Sequence, residues 1–349
     1  NNIVIFHPAG IGDCILDISN LYQLITSGRA PNKLKYICNA SAQPLIECSG
    51  LEKYLDIYYL KYPVISIRDF FTLYALRQNK QEIFVLGGMN LKKVGYFKHL
   101  WPNQVEFYGV LENFPQECIS KIRPNGGTYS HIEGPLSNSH RIVENFKLFK
   151  SQGFLENSDF LIRGLDRKII AKMIDLFNMR IVKKPYIVVH AGELGNNSKK
   201  TMETGNWRKL IASLIKRIDE NIIIIGTNRE RMYVDEIISS LNKDKIINLC
   251  GKTSLVEVIG LIEGAGMVLA VDGAIAHLAA SIGKNLFAIY GPTDPTIISP
   301  VGTNGFIIRQ QMECSPCYWN ENYFNCPYHR DCLNGLHYKV LANYTIELF

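Results

Sequence analysis

"MVLAVDGAIAHLAASIGKNLFAIYGPTDP", from Met267 to Pro295, is the stretch that decides the fold. It contains an apolar strand that ends at Asp272, an alanine-rich helix, and a second apolar strand that ends in the turn Gly291–Asp294. Apolar strands alternating with helices of about ten residues are typical of a parallel sheet covered on both faces. Polar residues are sparse here and follow the strand ends, where parallel sheets bind ligands.

The same alternation continues through both halves of the 349-residue chain. Strand-like runs include NIVIFH, LKYICN and EIFVLGG in the first half, and YIVVH, NIIII and KIINLC in the second. Ser254 and Glu257 form a capping-box pattern that predicts the start of a helix. The pattern therefore predicts an α/β protein with two Rossmann-like domains, whose parallel sheets face a central cleft.

We expect the first domain to span residues 1–170 and the second to span 171–335. The second domain includes a cysteine-rich segment at 314–332. A helix over 336–349 is a candidate to pack back on the first domain.

Composition and charge exclude several classes of protein. Hydrophobic residues make up 47% and charged residues 20% of the chain, which argues against disorder. No apolar run reaches the roughly 18–20 residues that span a bilayer, and the start lacks signal-peptide features, so we expect a cytoplasmic protein. The net charge of +6 suits an acidic ligand or an anionic membrane surface. Lys and Arg are dispersed, so no nucleic-acid partner is expected.

The turn after the first strand combines glycines with an acidic residue. Gly10 and Gly12 allow the backbone to approach a ligand closely, and the helix that begins there points amide groups at an anion. Asp13 is either a residue favoured by the helix dipole or a general base for a hydroxyl. A third glycine and an acidic ribose anchor are absent, which argues against an NAD-dependent dehydrogenase.

Polar residues also follow the strands of the second half. His190 stands at a strand end, and Lys200 is either a ligand of a diphosphate or a solvated surface lysine. Glu230 is a candidate acceptor for ribose hydroxyls or a water-facing residue of a first helical turn. The turn Asp272–Ala274 suits a phosphate or ribose, and His277 either contacts that ligand or is a core histidine.

Four cysteines crowd together near the C-terminus. Cys314, Cys317, Cys326 and Cys332 have the spacing C-x2-C-x8-C-x5-C. Four thiolates can close a tetrahedral zinc or iron site, which would be structural because no coordination position stays open. The alternatives are reduced buried thiols or a disulfide pair.

Together these motifs resemble glycosyltransferase family 9, the heptosyltransferases. The resemblance is carried by Gly12-Asp13, Lys200 seven residues before Trp207, Gly226 with Glu230, Asp272-Gly273-Ala274 with His277, the GPTDP run with Gly291, Thr293 and Asp294, and the late cysteines. It implies the GT-B fold and an inverting transfer of a heptose or related sugar from an ADP-sugar to a lipopolysaccharide core or other glycan.

The resemblance also implies roles for individual residues. Asp13 becomes the catalytic base, and Lys200 stabilises the leaving diphosphate, so catalysis needs no metal cofactor. The donor-binding set is Gly12, His190, Lys200, Gly226, Glu230, Asp272, Gly273, Ala274, His277, Gly291, Thr293 and Asp294. Gly273 replaces a family hydroxyl residue, and Ala274 replaces a family glycine.

The partners on the acceptor side are less specific. Lys92, Lys93, Lys98, His99 and Arg141 are candidates to meet an anionic acceptor, or they are plain surface residues. Alternatives to a glycan acceptor are a protein acceptor or a non-catalytic nucleotide-sugar-binding relative. Some family relatives that act on proteins carry a metal-bearing cysteine finger. The resemblance further implies peripheral contact with the inner face of a bacterial inner membrane.

Overall fold

The computed structural model describes residues 2–31, 34–61, 66–76, 81–89, 105–111, 131–133, 140–159, 161–162, 164–176, 185–192, 199–302, 305–318 and 320–349. The chain divides into two compact units, Asn1–Arg163 and Gly164–Phe349. Among the described residues, no helix is both long enough and apolar enough to cross a membrane.

The first unit is built on a parallel sheet. Its strands are β1 (Asn2–His7), β2 (Leu34–Asn39), β3 (Asp56–Leu60), β4 (Gln81–Met89), β5 (Val105–Leu111) and β6 (His131–Glu133). They lie in the order β3-β2-β1-β4-β5-β6, and every described pair is parallel. Its described helices are α1 (Ile11–Ser27), α2 (Gln43–Ser49), α3 (Ile67–Ala75) and α4 (Arg141–Ser151).

The second unit repeats this plan. Its strands are β7 (Tyr186–His190), β8 (Asn221–Ile224), β9 (Ile246–Asn248), β10 (Met267–Val271), β11 (Leu286–Tyr290) and β12 (Gly305–Arg309), in the order β12-β11-β10-β7-β8-β9. Its described helices are α5 (Arg167–Leu176), α6 (Thr204–Ile215), α7 (Arg231–Ile238), α8 (Leu255–Gly264), α9 (Ala274–Ile282), α10 (Pro295–Ile298), α11 (Glu321–Phe324), α12 (Asp331–Asn334) and α13 (Tyr338–Leu348). The predicted α/β class with two Rossmann-like parallel sheets is confirmed.

Burial explains why the strands of the second unit are apolar throughout. Ile187 and Val189 point into a hydrophobic cluster that Trp207 of α6 shares, and Val188 between them is also fully buried. Successive strand residues point to opposite faces, so both faces of this sheet are covered. The predicted capping box at the start of α8 is present, with Ser254 and Glu257 each bonding to the other's backbone amide.

The division between the units lies before α5, whereas the predicted division after residue 170 falls inside that helix. Leu165 donates its amide hydrogen to the carbonyl of Ser281 at 3.0 Å. A Cβ added to Gly164 would lie 1.9 Å from the same carbonyl oxygen, so only glycine permits this approach. The Arg167 guanidinium also lies 2.8 Å from the Glu263 carboxylate, and α5 therefore belongs to the second unit.

The C-terminal helix α13 packs on the second unit, whereas the sequence had made the first unit the candidate. Leu341 and Ala342 are fully buried in the cluster that contains Trp207. The ring of Phe349 lies so close to Gly266 that a Cβ there would approach it to 2.7 Å. The apolar face of α13 thus packs against helices and strands that lie more than fifty residues earlier in the sequence.

Candidate functional site

Strand order in the second sheet decides which predicted site residues become neighbours. From β7 the chain builds outward through β8 and β9, then returns to build β10, β11 and β12 on the opposite side. The carboxyl end of such a reversal is where open α/β sheets bind ligands. The strands β11, β10, β7 and β8 lie side by side, and a predicted site residue lies at the carboxyl end of each: Gly291, Asp272, His190 and Gly226. At about 4.8 Å between strands, this edge covers roughly 14 Å, which suits an extended ligand.

Lys200 and Asp272 meet where the strand order reverses. The Lys200 Nζ lies 2.9 Å from the Asp272 Oδ2, and the two side chains are only 9% and 4% exposed. The ring of Tyr318 faces the same ammonium, with its centroid 4.1 Å from Nζ. The alternative of a solvated surface lysine is therefore wrong. Because the ion pair is neutral as it stands, an anionic ligand would compete with Asp272 for the ammonium.

A tyrosine also borders Asp272. Burial raises the pKa of Tyr290 well above its ordinary value, and the neighbouring Asp272 carboxylate raises it further. The phenol therefore remains protonated, and it donates to the carbonyl of Ile298 at 3.1 Å. The Asp272 carboxylate thus sits between the Lys200 ammonium and the Tyr290 phenol.

The turn after Asp272 opens α9. The backbone of Gly273 is extended, with φ 161° and ψ −171°, a conformation that any residue adopts. The backbone therefore does not require glycine here, although glycine lacks the hydroxyl that the resemblance leads one to expect at this position. Ala274 is the first residue of α9, and His277 is buried one turn later. The helix presents its amino terminus at the carboxyl end of β10, the polarity that attracts an anion.

Glu230 and His190 form a second buried pair at the same edge. The His190 Nε2 lies 3.7 Å from the Glu230 Oε1, and both side chains are less than a tenth exposed. The other carboxylate oxygen of Glu230 accepts the amide hydrogen of Thr227 and closes a capping box. Burial by itself would raise the pKa of Glu230, but His190 and the Thr227 bonds hold it below its ordinary value. The alternative of a water-facing Glu230 is wrong.

Gly226 is required by this carboxylate. A Cβ at Gly226 would lie 2.8 Å from the Glu230 Oε2 and 3.0 Å from the Cys250 Sγ. A larger residue would push Glu230 away from His190. The glycine at the end of β8 and the acidic residue four positions later therefore form one structural unit.

The turn Gly291–Asp294 is fastened to the cysteine-rich segment. The carbonyl of Pro292 accepts the amide hydrogens of Cys317 at 2.8 Å and Tyr318 at 3.0 Å. The hydroxyl of Ser315 donates to the carbonyl of Gly291 at 2.6 Å. These bonds hold Tyr318 beside the carboxyl edge of the sheet, where its ring meets Lys200.

Within that turn, Thr293 and Asp294 differ in role. Thr293 is buried, and its hydroxyl has no hydrogen-bond partner within the described part of the chain. The Asp294 carboxylate accepts the amide hydrogen of Thr296 at 2.9 Å and caps α10. The structure therefore gives Asp294 a helix-capping contact in addition to its predicted place in the binding set.

The four late cysteines lie near one another with free thiols. Burial first, and then the other three cysteines, raise the pKa of Cys332 to about 11. Burial also raises the pKa of Cys317, as do Cys314 and Cys326. Across the described ranges, no group of three or more His, Cys, Asp or Glu side chains is placed to hold a metal ion. The structural zinc or iron site at these cysteines therefore stays a prediction.

Residues in and just after the cysteine-rich segment also form hydrogen bonds with the loop that carries Lys200. The ammonium of Lys199 donates to the carbonyl of Phe324. The Arg330 guanidinium donates to the carbonyl of Thr201 at 3.1 Å, and the Glu203 amide donates to the Asn334 side chain at 2.9 Å. The sequence motifs did not predict these contacts, because they join positions more than a hundred residues apart.

In the first unit, Gly12 and Asp13 occupy the first turn of α1. This turn follows β1, where the first sheet has its own reversal of strand order. The amide of Cys14 donates to the carbonyl of Gly10 at 3.1 Å and closes the first helical turn. Asp13 remains partly exposed, as a base that meets an external hydroxyl must be.

A buried polar cluster that the motifs did not indicate lies behind this turn. The His7 Nδ1 lies 2.5 Å from the Asp17 Oδ2, which also accepts the Tyr36 hydroxyl at 2.8 Å. Burial raises the pKa of Tyr36 well above its ordinary value, and the charge of Asp17 adds to this. The cluster ties α1 to β1 and β2. The available signal was the spacing of Asp13 and Asp17, which places both on one helix face.

Of the acceptor-side candidates, Lys92, Lys93, Lys98 and His99 lie outside the described residues. Arg141 begins α4, and its Nε lies 3.9 Å from the Glu144 carboxylate. Its side chain is mostly buried, at 15% exposure, so it is not a plain surface residue.

Comparison with known proteins identifies the family of this chain. Residues 131–327, more than half of the chain, match glycosyltransferase family 9 (heptosyltransferase). The chain belongs to this family. A curated relative, lipooligosaccharide heptosyltransferase 2 of Haemophilus influenzae, is 32% identical over 91 residues, which are 25% of this chain and 26% of that protein. The matched region thus spans about a quarter of the relative's length.

Solved structures extend the similarity of fold to nearly the whole chain. The E. coli ADP-heptose lipopolysaccharide heptosyltransferase II covers 99% of both chains, with a TM-score of 0.66 and 17% identity. The iron-containing dodecameric glycosyltransferase TibC from enterotoxigenic E. coli covers 99% of this chain and 77% of its own, with a TM-score of 0.60 and 12% identity. The predicted GT-B fold is confirmed by these neighbours.

Proposed function

We propose that this protein is an inverting glycosyltransferase that moves a heptose or related sugar from an ADP-sugar to a hydroxyl of a lipopolysaccharide core or other glycan. The observation that carries the proposal is the buried pair of Lys200 and Asp272 at the reversal of strand order. A buried lysine at the carboxyl edge of a parallel sheet is suited to a diphosphate. The name of the E. coli structural neighbour, an ADP-heptose transferase, supports the choice of donor.

In this proposal the second unit holds the donor. Lys200 and the amino terminus of α9 take the diphosphate, with Asp272, Gly273, Ala274 and His277 forming the surrounding turn. Glu230, fixed by His190 and Gly226, accepts hydrogen bonds from ribose hydroxyls through its carboxylate. The turn with Gly291, Thr293 and Asp294 borders the sugar-phosphate end of the donor, and Gly12 of the first unit completes the proposed donor-binding set.

Asp13 is the general base for transfer. It takes the proton of the acceptor hydroxyl as that oxygen attacks the anomeric carbon from the face opposite the diphosphate. The new carbon–oxygen bond forms while the bond from the anomeric carbon to the diphosphate oxygen breaks, so the configuration inverts. Lys200 and the amides of α9 stabilise the charge that develops on the leaving diphosphate, which removes the need for a catalytic metal.

The test of the base is Asp13→Asn. Because general base catalysis contributes about 10²–10⁴-fold, we expect transfer to fall by that factor while stabilisation of the protein by ADP is unchanged. Asp219→Asn, at a fully exposed aspartate of the second unit, is the matched control and should retain full transfer. Full activity of Asp13→Asn would refute the assignment.

The donor and the acceptor are tested separately. Thermal shifts with ADP-, GDP- and UDP-sugars rank the nucleotide, and stabilisation by NAD instead would point to a dehydrogenase. Comparing transfer to a delipidated core oligosaccharide with transfer to a protein acceptor distinguishes the two acceptor classes.

We further propose that the protein works peripherally at the inner face of the inner membrane. Elemental analysis of the purified protein for zinc and iron tests the prediction for the cysteines.

A further inference from the structure

Helix α3 of the first unit exposes an unusually apolar face. Ile67 is 80% exposed, Phe70 46%, Phe71 64% and Tyr74 53%. Their spacing of three and four residues places all four on one side of the helix. Single exposed apolar residues are ordinary, but a continuous stripe of them marks an interaction surface. We call these four side chains the α3 stripe.

The α3 stripe is presented by a well-anchored helix. Ser66 and Asp69 form a capping box at its amino end, and Leu73 and Leu76 are buried on the opposite side. Within the stripe, the ring of Phe70 contacts those of Phe71 and Tyr74, with centroids 6.0 Å and 6.4 Å apart. The outward direction of the aromatic rings therefore follows from how the helix is seated on the unit.

A cation lies beside the stripe, because Arg68 follows Ile67 on α3 and is exposed. The acidic residue of α3, Asp69, is turned inward, where its carboxylate accepts the Ser66 hydroxyl at 2.7 Å and also interacts with Lys61. An apolar, aromatic face with an arginine beside it complements the acyl and anionic headgroup regions of a bilayer surface.

A second copy of the chain fits this face less well. At about 150–250 Å² for each aromatic side chain, the stripe offers roughly 400–500 Å² of exposed apolar surface. A stable protein interface buries about 800 Å² on each partner. A nine-residue helix is only about 13 Å long, so self-pairing through α3 alone is too small for a stable dimer.

We propose that the α3 stripe, with Arg68, docks the protein on an anionic phospholipid surface. The inference rests on the proposed function, because an acceptor of lipopolysaccharide type is anchored in a membrane. The helix lies in the plane of the interface, with the rings of Phe70, Phe71 and Tyr74 at the boundary of headgroups and acyl chains. The Arg68 guanidinium contacts a lipid phosphate.

The test is flotation of the full chain with vesicles of phosphatidylethanolamine and phosphatidylglycerol, compared with vesicles of phosphatidylcholine. We expect binding to the anionic vesicles, weakened about tenfold by Phe71→Ser and about fivefold or more by Arg68→Glu. Met232→Ser and Lys243→Glu, at exposed positions of the second unit, are the matched controls and should bind like the unaltered protein.

Three outcomes would overturn the proposal: no binding to anionic vesicles, equal binding by Phe71→Ser, or a dimer in sedimentation velocity that Phe71→Ser dissociates. The flotation assay contains neither donor nor acceptor, so its result is independent of sugar transfer. A chain that binds vesicles but transfers no sugar retains the docking surface and loses the proposed function. Transfer by Phe71→Ser to a delipidated acceptor should remain unchanged, which confirms that the variant folds.

Discussion

The buried pair of Lys200 and Asp272 makes a quantitative prediction about stability. Replacing Asp272 with Asn leaves a buried ammonium without its carboxylate, 2.9 Å away in the intact protein. Breaking a buried ion pair by removing one partner costs about 3–5 kcal/mol. The Tyr318 ring remains against the ammonium and offsets part of this, so we expect a loss of about 3 kcal/mol. In a unit of 150–250 residues, this lowers the Tm by roughly 6–12 °C.

Ligand linkage sharpens this prediction. In Asp272→Asn, an ADP phosphate supplies the charge that the ammonium has lost, whereas in the intact protein it must first displace Asp272. Saturating ADP should therefore raise the Tm of Asp272→Asn by more than it raises the Tm of the intact protein. Differential scanning fluorimetry at matched ADP concentrations measures both shifts.

The double variant supplies the control. The double variant Lys200→Met with Asp272→Asn removes both charges. Its loss of unfolding free energy should therefore be smaller than the sum of the two single losses by about 2 kcal/mol or more. Strict additivity of the two substitutions would refute the pairing. A loss under about 1 kcal/mol in Asp272→Asn would show that the pair is solvated and behaves as a surface salt bridge.

Two other predictions concern Tyr318 and Glu230. Tyr318→Leu should weaken ADP affinity about threefold to tenfold, as measured by isothermal titration calorimetry. Tyr318→Phe keeps the ring and should keep the affinity. An equal loss of affinity on Tyr318→Leu in a Lys200→Met background would show that Tyr318 does not act through the lysine. The folded pKa of Glu230 is lowered, so its stabilising contribution is present above its unfolded pKa of about 4.3 and is lost as pH falls through the folded pKa. Glu230→Gln should therefore be less stable at pH 7 and lose less stability on acidification below pH 5 in urea unfolding curves; parallel acid profiles would contradict this.

Local pattern was sufficient to predict the strand ends. Gly226, Asp272 and Gly291 each follow an apolar run, and in a parallel sheet every such run ends at the same edge. The site residues could therefore be proposed before any of their contacts were known. Lys200 and Glu230 entered the predicted site through the family resemblance, because the local pattern left solvent-facing alternatives open for both.

Long-range contacts were beyond reach of such patterns. The helix α13, the division before α5, and the cluster of His7 with Asp17 and Tyr36 all depend on which surfaces meet after folding. Hydrophobic periodicity reports that a helix has an apolar face but not which neighbour covers it. The apolar residues of 336–349 are compatible with either unit, and burial of Leu341 in the second unit resolves the choice.

Sequence alone thus established the class of the fold, because strands that are apolar on both faces can be buried only between layers of helices. It also established that polar side chains gather where those strands end. Folding in three dimensions decided the partners: β10 lies beside β7, which brings Asp272 to Lys200, and the cysteine-rich segment brings Tyr318 to the same ammonium. Strand order and the path of a distant segment set these distances, and neither leaves a periodic signal in the chain.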